Sequence, residues 1–178
     1  MMKKTVVCLG GNMNHLKKRI FLILLLACSS CCFAKQISFQ VVQHNNSFDK
    51  VTEEALFIED ALISNFFDRG YIVTNSPADI SDSEECEKKL WTTGVEDALN
   101  GGSDYFVQVI LYFTEKRDNT INKNVMILDK IDYSICLTGS LDFIAKDSLS
   151  CNLRVYEPKD LTRISKNLMD EIFEAINA

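Results

Sequence analysis

Histidine, proline and tryptophan are scarce in this chain of 178 residues, which holds two, two and one of them. With only His15 and His44, few routes remain to a serine–histidine or cysteine–histidine nucleophile, or to a histidine-rich zinc site. Two prolines and the lack of any low-complexity tract exclude a long disordered region. No apolar run approaches the roughly 20 residues that a membrane-crossing helix needs. The run that starts at Ile20 ends at Cys28, and Ser29 and Ser30 then dilute it. What is present is a globular mixture, 47% hydrophobic and 25% charged, close to the average soluble composition and enough for one domain.

The stretch "KKRIFLILLLACSSCCFAKQ" places Lys17, Lys18 and Arg19 before that short apolar core and small residues after it. This is the layout of a secretory signal, with the positive flank held on the cytoplasmic side. Met13 would start a more compact version of it. Two processing sites compete. "LLAC" resembles a bacterial lipobox that would leave a lipidated Cys28 as the first mature residue, although Leu26 departs from the usual small residue. "CFA" would instead direct cleavage after Ala34. Residues 1–34 are therefore expected to be a signal peptide, or a lipoprotein signal with a short tether, and residues 35–178 a single domain. Cys28 and Cys31 form a C-x-x-C, but inside an export segment rather than at the electropositive helix start that a reactive pair needs.

Five of the 19 basic residues and none of the 25 acidic ones precede Cys28, so the remainder carries 14 basic against 25 acidic side chains, a formal charge of −11. Such a body repels phosphate backbones, and no nucleic-acid partner is expected. Its contact with a membrane would come through a lipid anchor, not through charge. Three cysteines remain in it, Cys86, Cys136 and Cys151. Cys136 and Cys151 lie in neighbouring expected strands and are the candidate disulfide in an oxidising compartment. The alternative is three small buried hydrophobes.

Periodicity divides the body. "QISFQVVQ" alternates as a strand. Over residues 48–69, Val51, Ala55, Ile58, Leu62 and Phe66 recur at helical steps, and Gly70 stops the helix. "YIVTN" is a short strand that Ser76 and Pro77 break. Residues 79–102 open with acids and close on two glycines, as one helix or, given Thr92, Thr93 and Gly94, two short ones. "DYFVQVILYF" reads as a central strand covered on both faces. A polar connection, two or three antiparallel strands and an amphipathic helix from about residue 159 follow. The expected fold is α+β: a mixed sheet of about five or six strands in the order β-α-β-α-β-β-β-α, with helices packed on it.

"ALISNFFDRGYIVTNS" followed by "GVEDALNGGSDYFVQVILYF" resembles a superfamily of bacterial envelope proteins. It includes the TolB amino-terminal domain, the curli-secretion lipoproteins and the lipoprotein activators of penicillin-binding proteins. Gly102, Asp104 and Tyr105 stand in that family's glycine–aspartate–aromatic turn, and the similarity spans residues 37–114. The resemblance implies a TolB-like α/β domain, an exported periplasmic or membrane-anchored location, and other envelope proteins or further copies of the chain as partners. A fold transfers no activity.

Candidate chemistry is sparse. Cys86 and His44 could meet in space. Asp79, Asp82, Glu84, Glu85 and Glu87 could offer oxygen ligands to calcium, but without the glycine and register of a known loop. Gly101-Gly102 lies between a helix and a strand, the reverse of the phosphate-loop order. Trp91 is a core residue or an interface anchor. No catalytic, cofactor or metal residue is singled out. The expectation is a non-enzymatic envelope lipoprotein that binds proteins. The alternative is a lipid-binding or membrane-inserting protein that uses an amphipathic helix through Leu168 and Phe173, and an acid-lined hydrolase comes third.

Overall fold

The computed structural model describes residues 34–44, 49–118, 123–154 and 158–178. The expected signal segment, with the candidate lipidation residue Cys28, lies outside them apart from Ala34. The elements are β1 (Gln36–His44), α1 (Glu53–Asp68), β2 (Ile72–Ser81), α2 (Glu84–Asn100), β3 (Tyr105–Asp118), β4 (Lys123–Leu137), β5 (Phe143–Arg154) and α3 (Pro158–Asn177). They reproduce the expected α+β order. The five strands form one mixed sheet, β2-β1-β3-β4-β5. In it β1 runs parallel to β2 and β3, while β4 and β5 are antiparallel additions. Lys35–Ala178 is one compact unit.

The connection from β1 to β2 steps one way across the sheet, and that from β2 to β3 steps back past β1. Right-handed crossovers in opposite directions put their helices on opposite faces. Accordingly Ala55, Ile58, Leu62 and Phe66 of α1 pack with Phe39, Val41, Val107 and Val109. Leu161, Ile164, Leu168, Met169, Ile172 and Ile176 of α3 join that same cluster at helical spacing. Among the described residues the other face holds α2 alone, through Val95, Ala98, Phe106 and Cys136 with Trp91 against them. Beneath α2 the sheet is more polar, with Ser38, Gln40 and Gln108 buried there.

Three departures from the sequence reading have physical causes. β2 does not stop at Ser76 but continues through Pro77 to Ser81. It is an edge strand, where a missing N–H is tolerated, and its pairing with β1 shifts register between Gln40 and Val42. Glu59, buried in α1, supports that irregularity by accepting from Asn75 Nδ2 at 2.9 Å and from the Ala78 N–H at 3.1 Å. Residues 79–81 are therefore strand, and α2 begins after the cap Ser83, whose hydroxyl accepts from the Cys86 N–H. From there α2 runs unbroken through Gly94. The third departure is the disulfide. Cys136 pairs with Phe143 near one end of β5, eight residues along the strand from Cys151. At about 3.3 Å per residue that is roughly 26 Å, far beyond bridging distance. Cys136 packs beneath α2 while Cys151 lies against the opposite cluster, so both are free thiols.

Candidate functional site

An open sheet of this kind offers a crevice at the carboxyl ends of the parallel strands, where chain direction across the sheet reverses. Here that point lies between β1 and β3, and His44 and Tyr112 are register partners across it. His44 Nδ1 lies 2.5 Å from Glu87 Oε1 on the first turns of α2, and its ring centroid is 4.9 Å from that of Tyr112. From β4, Lys130 Nζ sits 4.2 Å from the Tyr112 ring centroid and donates to Asp132 Oδ2 at 2.8 Å. Burial, then the charges of Glu87 and Asp132, push the Tyr112 hydroxyl well above the usual phenol range. It therefore stays protonated as a donor. Imidazole, phenol, ammonium and carboxylates thus meet, drawn from β1, α2, β3 and β4, but each leans on another. The arrangement works as a polar clasp that fastens α2 to the sheet.

In place of the Cys86–His44 contact that the sequence allowed, the structure has His44 meeting Glu87, one residue further along α2. The acidic group does not converge either. Glu87 turns to His44, Asp79 Oδ1 accepts from the Ile80 N–H, and Asp82 Oδ1 accepts from the Ser83 hydroxyl. Among the described residues no cluster of three or more potential metal ligands forms. Trp91 proves to be both core and rim. It meets the buried Phe106 edge-on at 5.2 Å and stacks on Phe143 at 5.1 Å and 11°.

Gly102, Asp104 and Tyr105 lie at the opposite end of the sheet, lining a cleft of about 550 Å³ together with Lys35, Leu99 and Leu137. Gly102 takes φ +75°, which ends α2 and turns the chain into β3. Asp104 then latches three strands. Its carboxylate accepts from the Gln36 N–H at 2.7 Å, its own N–H donates to Gln36 O at 2.8 Å, and its carbonyl accepts from the Thr138 N–H at 3.1 Å. Lys35 Nζ donates to Tyr105 Oη at 2.9 Å, and that hydrogen bond holds the ammonium above its ordinary range. The turn is accordingly an architectural device, and it brings β1, β3 and β4 into register.

An open, mixed α+β sheet with a latched glycine–aspartate–tyrosine turn is the class that these features define. The chain belongs to the family whose model, described as "Uncharacterised protein", matches residues 36–176. No curated protein matches it. Among solved structures it is similar to TolB from Acinetobacter baumannii, at 12% identity and a TM-score of 0.45 over 82% of this chain. The match spans 29% of the length of that TolB. It is also similar to lipoprotein GNA1162 from Neisseria meningitidis, at 10% identity and a TM-score of 0.48, covering 79% of this chain and 99% of that one. A third is the PelC dodecamer from Paraburkholderia phytofirmans, at 9% identity and a TM-score of 0.41, covering 81% and 87%. The likeness is one of fold.

Proposed function

We infer that the chain is a non-enzymatic module of the cell envelope, exported and held at a membrane through Cys28, that acts by binding other envelope proteins. The observation that carries this reading is the exposure of Leu56 and Phe57 on the first turns of α1, at the crevice end of the sheet. Glu53, Glu54 and Asp60 share that helix around them. Apolar side chains inside a polar rim are the anatomy of a protein-docking surface. The clasp supports the same reading, because its acid–base groups are engaged with one another. So does α3, whose Leu168 and Ile172 are fully buried on the sheet. Phe173 lies against Tyr71, under the Arg69 guanidinium. The apolar stripe that a lipid-inserting helix would need is thus occupied.

A photoreactive benzophenone at position 57 of the full chain, irradiated in cells, is expected to give a discrete protein adduct. Leu56→Asp in the same chain is expected to abolish it. No adduct at native abundance, or one indifferent to Leu56→Asp, would overturn the reading.

A further inference from the structure

We propose that the end of the sheet opposite the crevice rests on a lipid surface, that of the membrane to which the chain is anchored. Among the described residues eight large apolar side chains are exposed. Two of them are Leu56 and Phe57 at the crevice end, and the other six gather at the opposite end. Phe67 is in the last turn of α1, Ile72 opens β2, Leu99 is in the last turn of α2, Leu137 closes β4, and Leu141 and Phe143 flank the start of β5. Backbone hydrogen bonds tie these termini together. The Ile72 N–H donates to Lys35 O, the Thr138 N–H to Asp104 O, and the Leu137 N–H to Asp142 O. The exposure is pronounced, at 71% for Phe67, 59% for Phe143 and 58% for Leu141. Leu141 keeps its side chain there at φ +62°, a left-handed conformation that leucine rarely adopts.

Two facts select a lipid surface as the occupant. The first is where the chain enters. Lys35, the residue before β1, lines the cleft among these side chains. Six residues separate Cys28 from Lys35, and the seven steps between the two span about 25 Å at full extension. With a lipid on Cys28, as the proposed function holds, this end and not the crevice end is kept near the bilayer. The second is shape. The six side chains come from both helix layers and from the sheet between them, so they dot the perimeter of an end instead of lining one groove. That pattern suits a planar surface penetrated shallowly at many points. Asp97, Asp104 and Asp142 stand at the same end as Lys35 and the body is acidic, so the attraction is apolar, and the charges oppose an anionic surface with a repulsion that salt screens.

The test places a benzophenone at Leu137 or at Phe57 in the full chain, with irradiation of membranes isolated from expressing cells and intact-mass analysis. The expected result is a phospholipid adduct from position 137 and none from position 57. Leu141→Asn, whose side chain suits a positive φ better than leucine, should lower labelling from position 137 several-fold without loss of folding. Only protein adducts from position 137, no adduct there, or labelling unchanged by Leu141→Asn in a chain that sediments with membranes would overturn this inference and leave the envelope reading standing. A chain recovered from the cytosol would overturn both. A lipid adduct at 137 without a protein adduct at 57 would overturn only the protein-binding reading.

Discussion

Gly94→Ala tests the tight packing beneath α2. A methyl group built there falls 2.3 Å from Cζ and 2.8 Å from Cε2 of Phe106, against a comfortable carbon separation of about 3.5–4.0 Å. The ring has nowhere easy to go. Phe106 is fully buried, and Trp91, packed edge-on against it, is itself stacked on Phe143. In an exposed helix interior the same change would stabilise by about 1 kcal/mol. Here overpacking costs about 1–3 kcal/mol, so the balance is a loss of up to about 2 kcal/mol. Urea unfolding of the full chain, followed through its single tryptophan, reads the loss directly. The native emission should shift as Trp91 is pushed from Phe143. Phe106→Leu, destabilising alone, should restore part of what Gly94→Ala removes, with a coupling of about 1–2 kcal/mol in the double-mutant cycle. Stabilisation by about 1 kcal/mol, or additivity in the cycle, would refute the reasoning.

Three further outcomes follow from the same contacts. Glu59→Ala strands the donors of Asn75 and Ala78 and should cost about 1–3 kcal/mol in urea unfolding; a change within about 0.5 kcal/mol would mean that β2 holds its irregularity unaided. Asp104→Ala removes the acceptor of the Gln36 N–H and should cost about 1–2 kcal/mol while faster hydrogen exchange at Gln36 reports the loss locally. Burial, then the charge of Asp129, raises the Cys151 thiol from 9.0 to about 11. Between those values the folded chain binds more protons than the unfolded one, so stability is full below about pH 9 and falls as pH rises towards 11. Tyr133, pushed up to about 12 chiefly by burial, extends the decline. Cys151→Ala should flatten the part below pH 11, and an unaltered alkaline limb would contradict the assignment.

The elements whose neighbours lie nearby in sequence were legible in it. β1, β3 and α3 announce themselves by alternation, by an apolar run and by a helical stripe, and the turn at Gly102–Tyr105 carries its own signature. What escaped depends on partners far along the chain. Pro77 reads as a break because Glu59, in the preceding helix, is not visible as the acceptor that steadies the strand around it. Gly94 reads as a weakness in α2, whereas its missing side chain makes room for Phe106. Cys136 and Cys151 were rightly placed on neighbouring strands, but register is set by irregularities at Asp129 and Ile144 that no local pattern reveals. His44 could have been flagged as the residue closing the first parallel strand. Nothing in the sequence pointed from it to Glu87, 43 residues away. The apolar end is the least legible feature, because the termini of five elements compose it.

The backbone at Leu141 sets heat resistance against apolar exposure. Asparagine or glycine would relax that hairpin, so a screen that rewards survival on heating would drift towards them at position 141. Every such winner would surrender one of the greasiest points on the molecule's underside. The sturdiest versions of this protein should therefore be the ones least greasy at that end.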